Sequence, residues 1–191
     1  MMDQMEKIEK VPLLEDDSKE KMSLLIEHRL PWLVVGLIGG MGLTLVSTRF
    51  ELLLSQNIGL AFFIPVIVYM ADAVGTQTET VYVRNLTRKQ AKFSIYLIKE
   101  ILLGLSLGAL FGSLIGLFGF FVFNSTAIAL TVGLSMFVTM ATAPAIALIV
   151  PTLLQKTHKD PAVGAGPFTT VIQDFISLSL YFMIASLVLF H

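Results

Sequence analysis

The chain has 191 residues, of which 55% are hydrophobic and only 14% are charged, and its net charge is −1. Soluble domains carry roughly 25% charged residues. Here 13 of the 27 charges fall within the first 30 residues, so too few remain to cover a water-exposed surface. These numbers exclude a soluble single domain and place the chain in the integral membrane class. The absence of cysteine excludes thiolate metal sites and iron–sulfur clusters, and the absence of a basic arm argues against nucleic acid as a partner.

Residues 1–30 form an acidic N-terminal segment that we expect to be a cytoplasmic tail. They carry eight acidic and five basic residues and few apolar ones, so ordering residues 1–19 would bury little surface. The start lacks the basic-then-apolar pattern of a signal peptide. Within residues 19–30, apolar residues recur at helical spacing, which predicts a short juxtamembrane helix along the membrane surface.

Five apolar segments follow, each long enough to cross a bilayer as a helix, for which about 20 apolar residues are needed. They are residues 31–48, 59–83, 101–123, 127–154 and 167–190. The sequence therefore predicts that residues 31–191 form an all-α integral membrane domain of five transmembrane helices embedded in lipid.

The basic residues predict the orientation of these helices. The N-terminal segment and the loops after the second and fourth spans hold 12 of the 13 basic residues, and Arg49 alone falls on the other side. Basic residues concentrate in cytoplasmic loops. We therefore expect a multi-pass protein of the cell membrane with its N-terminus in the cytoplasm and its C-terminus, His191, outside.

Two spans carry residues that predict how the helices pack. Pro144 and Pro151 in the fourth span are expected to kink it or loosen its backbone hydrogen bonds. The third span has a glycine at every fourth position, which on a helix produces one face that a neighbouring backbone can approach closely. These glycines are Gly104, Gly108, Gly112 and Gly116.

Three acidic residues lie inside predicted spans: Asp72 and Glu79 in the second and Asp174 in the fifth. An ionised Asp at the centre of a membrane helix costs about 2.5–3.5 kcal/mol, and no basic residue lies at comparable depth to pair with these three. Two readings remain open for each acid. It is either a neutral, hydrogen-bonded carboxyl, or it lines a water-filled path and binds cations.

The spacing within the second span favours a path. Asp72, Thr76 and Glu79 occupy positions i, i+4 and i+7, which form one oxygen-bearing stripe about 10 Å long. Gln77 and Thr80 flank this stripe. A helix with this polar stripe is poorly suited to face lipid, so these five side chains are candidate cation ligands.

Asp174 extends the candidate site to the fifth span. Thr170 lies one helical turn before it, and the depth of Asp174, counted from Pro167, falls between those of Asp72 and Glu79. We therefore expect the three acids to face a common lumen. Carboxylate, hydroxyl and amide oxygens are hard ligands that suit magnesium, calcium or manganese, whereas all three histidines fall outside the spans, which disfavours zinc and copper.

From Arg29 to its end, the chain resembles the membrane domain of the MgtE family of magnesium transporters. Two blocks of sequence carry the resemblance. The first reads Ala71-Asp72-Ala73-Val74-Gly75-Thr76-Gln77, with Pro65 before it and Arg84 after it. It is similar to the family's Gly-Gly-Asn-x-Gly-x-Gln stretch. The second contains an aspartate that matches the family's ion-binding aspartate, and comprises Asp160-Pro161-Ala162, Pro167, Thr169-Thr170, Asp174 and Tyr181-Phe182.

The resemblance implies a homodimer of five-helix subunits with a pore at the two-fold axis, lined by the second and fifth spans. Asp174 of both subunits would hold a largely hydrated Mg²⁺ as the transported ion, with Mn²⁺, Ca²⁺ and Co²⁺ left open. Asp72 and Glu79 depart from the family pattern, so selectivity is expected to differ. The family's large cytosolic magnesium-sensing domains are not found in these residues, which leaves the mode of gating open.

Other functions are kept as alternatives. Additional buried carboxylates would suit a sodium- or proton-coupled divalent-cation exchanger, and a membrane assembly subunit without transport of its own is also open. We expect no enzymatic activity and no catalytic residues. Intramembrane aspartyl proteases place their acids in Tyr-Asp and Gly-x-Gly-Asp contexts, whereas the contexts here are Met70-Ala71-Asp72 and Ile172-Gln173-Asp174.

Overall fold

A computed structural model describes residues 21–87, 92–157 and 161–190 of the chain. The described part is helical throughout and contains no strand. Most of the predicted tail and the chain terminus at His191 lie outside it. The helices are α1 (Met22–Thr48), α2 (Glu51–Gln56), α3 (Ile58–Ala61), α4 (Ile64–Thr87), α5 (Phe93–Phe123), α6 (Thr126–Lys156) and α7 (Pro161–Phe190).

The predicted number of membrane spans is confirmed, because five stretches of helix are long and apolar enough to cross a bilayer. They are Met22–Thr48, Ile58–Leu86, Phe93–Phe123, Thr126–Lys156 and Gly164–Phe190. The helices extend beyond the predicted ends. Residues 22–30, predicted as a separate surface helix, continue through Pro31 into α1. α7 begins at Pro161, six residues before the predicted start, which agrees with the preference of proline for the first helical turn.

The second span is interrupted before α4, and α7 holds the interruption in place. The short helix α3 ends at Ala61, and in the turn that follows the Phe63 N–H donates to the carbonyl oxygen of Leu60 at 3.1 Å. The hydroxyl of Tyr181 donates a 2.6 Å hydrogen bond to the carbonyl oxygen of Leu60. The rings of Phe50 and Phe182 stack with their centroids 4.2 Å apart. The adjacent Tyr181 and Phe182 thus fix the chain that leads into α4.

The glycine face of α5 packs against the backbone of α6, as its spacing predicts. A Cβ atom added at Gly112 would lie 2.6 Å from the carbonyl oxygen of Gly133, and one at Gly108 would lie 2.7 Å from the carbonyl oxygen of Phe137. Such distances leave no room for a side chain. α6 remains a single helix through both of its prolines, and Pro144 lies beside Gly104 in this contact.

α6 forms the centre of the bundle, and α1 lies at its edge. α6 packs against α4, α5 and α7, and Met136 and Met140 belong to the apolar core between them. α1 has no buried residue and packs mainly against α7. Its contacts with α7 depend on glycine, since the Gly39 backbone lies against Val171 and the Trp32 ring lies over Gly164.

Hydrogen bonds fix the buried face of α4 at the end that leads to α5. The Thr78 hydroxyl donates to a carboxylate oxygen of Glu100 on α5 at 2.8 Å. One turn further along, the Tyr82 hydroxyl pairs with the Thr152 hydroxyl of α6 at 2.8 Å. These bonds set the rotation of α4 about its axis, and therefore determine which of its residues face outward.

Candidate functional site

An open cleft of about 380 Å³ lies between α1, α4 and α7 and contains two of the three membrane acids. Asp72 enters it from α4, and Asp174 and Thr170 enter it from α7. The remaining walls are mostly apolar: Leu43, Ser47, Ile64, Pro65, Val68, Tyr69 and Leu178. The structure thus brings the two aspartates together from distant parts of the sequence, as predicted.

One hydrogen bond joins the two helices inside this cleft. The Thr170 hydroxyl donates to the Oδ1 atom of Asp72 at 3.2 Å. Asp72 and Asp174 are both half-buried and line the same cleft. Two like charges in a poorly hydrated place repel each other. A cation between them would relieve this repulsion.

Both aspartates lie near the middle of their membrane spans. Asp72 is the central residue of Ile58–Leu86, and Asp174 is three residues from the centre of Gly164–Phe190. Because α7 begins at Pro161, Asp174 lies about 20 Å along this helix, deeper than the sequence predicts. Carboxyl groups at this depth are costly unless they face water, ions or polar partners.

Glu79 does not line this cleft, although it shares a stripe of α4 with Asp72. Within the stripe, Asp72 accepts the hydrogen bond of Thr170 on α7 and lines the cleft, whereas Glu79 is half-buried outside it. Of the three acids expected to face a common lumen, Asp72 and Asp174 line one cleft within the subunit and Glu79 does not.

The other predicted ligands of α4 face outward. Thr76, Gln77 and Thr80 are exposed and do not line the cleft. Together they form a polar face in the central and later part of a membrane helix. Such a face is unfavourable against lipid, so it requires water or a further protein surface.

The cleft suits a hydrated cation better than a bare one. Among the described residues, no three acidic, histidine or cysteine side chains cluster as the ligands of a closed metal site. Mg²⁺ has octahedral coordination and retains several of its waters. Six waters at roughly 30 Å³ each occupy about 180 Å³, which the cleft of about 380 Å³ accommodates.

The structure shows further buried polar residues that the sequence did not predict as part of a site. Thr169, Gln173 and Ser177 occupy positions i, i+4 and i+8 of α7 and are all buried on its inner face. Helical spacing alone would have found this second stripe. The Thr78–Glu100 pair had no comparable signal, because the two residues belong to different helices.

Comparisons with known proteins agree with a multi-pass membrane protein. A family model named MgtE, described as a divalent cation transporter, matches residues 64–184. The magnesium transporters MgtE of Enterococcus faecalis and Bacillus subtilis are 35% and 32% identical over 162 residues. That of Thermus thermophilus is 28% identical over 165 residues.

The chain belongs to the MgtE family. The family model covers more than half of it, and the alignments to the first two relatives include 83% of its length. The same alignments include 36% of each relative, so the chain spans about a third of the length of the curated relatives it matches.

Proposed function

We propose that this protein transports divalent cations across the membrane, with Mg²⁺ as its main ion, along a path formed by α4 and α7. The observation that carries the proposal is the cleft in which Asp72, Thr170 and Asp174 meet near mid-membrane. The relatives named as magnesium transporters support the choice of ion. In this arrangement the N-terminus faces the cytoplasm, as the basic residues predict.

In the proposed path, Asp174 is the main cation site and the protein selects the ion largely through its hydration shell. The Asp174 carboxylate accepts hydrogen bonds from waters of the ion, and Asp72 adds a second negative charge across the cleft. The Thr170 hydroxyl orients Asp72. One or two carboxylates with retained waters are sufficient for Mg²⁺, which dehydrates reluctantly. Several moderate sites, rather than one tight site, allow the ion to leave again.

We further propose that the functional unit is a homodimer in which the outward polar face of α4 meets its copy. Thr76, Gln77 and Thr80 are exposed to the membrane in the single chain. A two-fold partner would cover them, or would enclose water between the two copies of α4. Because α4 contributes residues to both the cleft and the outward polar face, this arrangement places the clefts of both subunits near the two-fold axis.

Single cysteines test this interface, because the chain contains no native cysteine. Gln77→Cys or Thr80→Cys should form a cross-linked dimer in the membrane under mild oxidation, since equivalent residues near a two-fold axis approach each other. Ser106→Cys, which is exposed on α5, serves as the matched control and should not form a cross-linked dimer. Cross-linking at Ser106 but at neither position of α4 would contradict the proposed interface.

Ion uptake into liposomes containing the purified chain tests the transport function directly. We expect uptake of Mg²⁺ without any other protein, and a comparison with Mn²⁺, Ca²⁺ and Co²⁺ gives the selectivity. Accumulation of the ion above its equilibrium level, driven by a sodium or proton gradient, would indicate a coupled exchanger. Absence of flux for every ion, from protein that is folded and dimeric, would instead support a membrane assembly subunit.

Asp72→Asn is expected to reduce transport without abolishing it. The substitution removes one of the two charges in the cleft but keeps an oxygen that accepts the hydrogen bond of Thr170. A hydrogen bond from a water of the bound ion to a charged carboxylate contributes about 1.5–3 kcal/mol. We therefore expect the apparent affinity for Mg²⁺ to fall by about tenfold, measured as the concentration for half-maximal uptake. An unchanged concentration would show that Asp72 is a structural carboxyl.

A further inference from the structure

The cleft that contains Asp72 and Asp174 is strongly polar at one end only. Along α4, Ile64 and Val68 line it two turns and one turn before Asp72, and along α7, Leu178 lines it one turn after Asp174. The apolar part begins next to the two aspartates and extends for about 12 Å, which is the rise of the helix from Ile64 to Asp72. An ion that enters from this side therefore passes apolar walls before it meets a charge.

This apolar part leads toward the outer end of the bundle. Thr170 of α7 lies at Asp72 and Tyr181 of α7 lies at Leu60, so α7 runs antiparallel to the second span. Leu178 is therefore level with the start of α4, close to the chain that joins α1 to α4. In the proposed orientation this end faces the outside. The apolar part then lies between the outer solution and the two aspartates.

Four aliphatic side chains from three helices line this part, which we call the apolar neck: Leu43, Ile64, Val68 and Leu178. Two polar residues border it. The Ser47 hydroxyl donates to the carbonyl oxygen of Leu43 at 3.0 Å, so its proton is committed to its own helix. Tyr69 is 68% exposed, so most of its surface lies outside the neck. Water inside the neck therefore finds few hydrogen-bond partners.

A passage with such walls opposes the entry of a hydrated ion. Apolar cavities tend to remain dry, and hydrophobic constrictions in channels block ions by losing their water. Mg²⁺ retains several of its waters and therefore cannot cross a dry segment. The neck has to fill with water before the ion reaches Asp72 or Asp174. The polarity of its walls should then set the rate of entry.

We propose that the apolar neck is a hydrophobic barrier that controls the access of divalent cations from the outer side to Asp72 and Asp174. The proposal rests on the proposed transport function and adds residues that determine its rate without binding the ion. Leu43 and Val68 set the rate of entry, whereas the carboxylates set the affinity. A barrier of this kind slows entry and release alike, so it leaves the affinity unchanged.

Val68→Thr tests the barrier, because threonine has nearly the shape of valine and adds a hydroxyl to the neck. Maximal Mg²⁺ uptake into liposomes should rise about threefold to tenfold, while the concentration for half-maximal uptake stays within about twofold. Val66→Thr is the matched control. Val66 is on the same helix, packs against the apolar core and does not line the cleft, so its replacement should leave uptake unchanged.

A pair of substitutions at Leu43 separates polarity from size. Leu43→Val and Leu43→Thr shorten the side chain equally, but only the second adds a hydroxyl. Uptake should be about threefold faster or more in Leu43→Thr than in Leu43→Val. This pair decides the question if Val68→Thr does not fold. Equal uptake by the two Leu43 variants would overturn the barrier.

The water content of the neck can also be measured without transport. The chain has no native cysteine, so Val68→Cys in a lipid nanodisc provides a single thiol. A charged methanethiosulfonate reagent reaches this thiol only through water. Modification should be slow, and Leu43→Thr should accelerate it about threefold or more relative to Leu43→Val. Absence of Mg²⁺ uptake by the unmodified chain would contradict the transport function. Equal modification rates in the two Leu43 backgrounds would instead contradict the neck as a barrier to water.

Discussion

Replacement of Asp174 by Asn should abolish most transport while leaving the protein folded and dimeric. The substitution keeps the size of the side chain and its ability to form hydrogen bonds but removes the charge. Hydrogen bonds from the waters of a bound ion to this carboxylate contribute about 1.5–3 kcal/mol in each subunit. We therefore expect Mg²⁺ uptake into liposomes to fall at least about tenfold. Stabilisation of the variant by Mg²⁺ against thermal unfolding should also disappear.

The pH dependence of transport should follow from the same carboxylates. Protons and divalent cations compete for Asp174, because each neutralises the same negative charge. Lowering the pH from neutral to acidic should therefore weaken Mg²⁺ binding, and high Mg²⁺ concentration should restore it. In Asp174→Asn this competition should be reduced, since the carboxyl group that protons and Mg²⁺ share is absent.

Glu51→Gln is the matched control for Asp174→Asn. Glu51 is an exposed acid at the start of α2 and does not line the cleft. Its replacement removes one charge from the chain without changing the cation site, so uptake and stabilisation by Mg²⁺ should match those of the unmodified protein. Wild-type affinity and rate in Asp174→Asn would show that this carboxyl is structural and would remove the basis of the proposed path.

The number of spans and the glycine contact of α5 could be predicted because each depends on local sequence. Twenty apolar residues require a membrane helix whatever surrounds it. The repeat from Gly104 to Gly116 likewise permits only close packing on that face. The ends of the helices were less predictable. Residues 22–30 are polar enough to suggest a separate element, yet the backbone continues as helix into α1.

The sequence indicated candidate residues for the site, but it did not indicate which of them lie together. The spacing of Asp72 and Glu79 places them on one stripe of α4, and this much is a property of any helix. Which of them meets Asp174 depends on the angle at which α7 crosses α4, and the sequence contains no local signal for that angle. The wall that α1 contributes through Leu43 and Ser47 depends on tertiary packing in the same way.

Replacement of Gly112 by Val should separate α5 from α6 and strongly destabilise the bundle. A Cβ atom at Gly112 would lie 2.6 Å from the carbonyl oxygen of Gly133, and the Gly133 Cβ position lies 2.9 Å from the carbonyl oxygen of Gly112. Both contacts are with backbone, which cannot rotate away as the end of a flexible side chain can. We expect a loss at the upper end of the 1–3 kcal/mol that overpacking costs, or a fall of about 6–12 °C in the unfolding midpoint.

Gly36→Val separates this steric effect from the general cost of placing valine in a helix. Gly36 also lies inside a membrane helix, but a Cβ atom there has no neighbour within 4 Å, so its replacement should change the midpoint by less than about 2 °C. The comparison uses thermal unfolding of both variants in the same detergent. Equal midpoints for Gly112→Val and Gly36→Val would mean that α5 and α6 can move apart without loss. The close backbone contact would then not hold the bundle together, and the position of α6 against α4 and α7 would have to come from the core around Met136 and Met140.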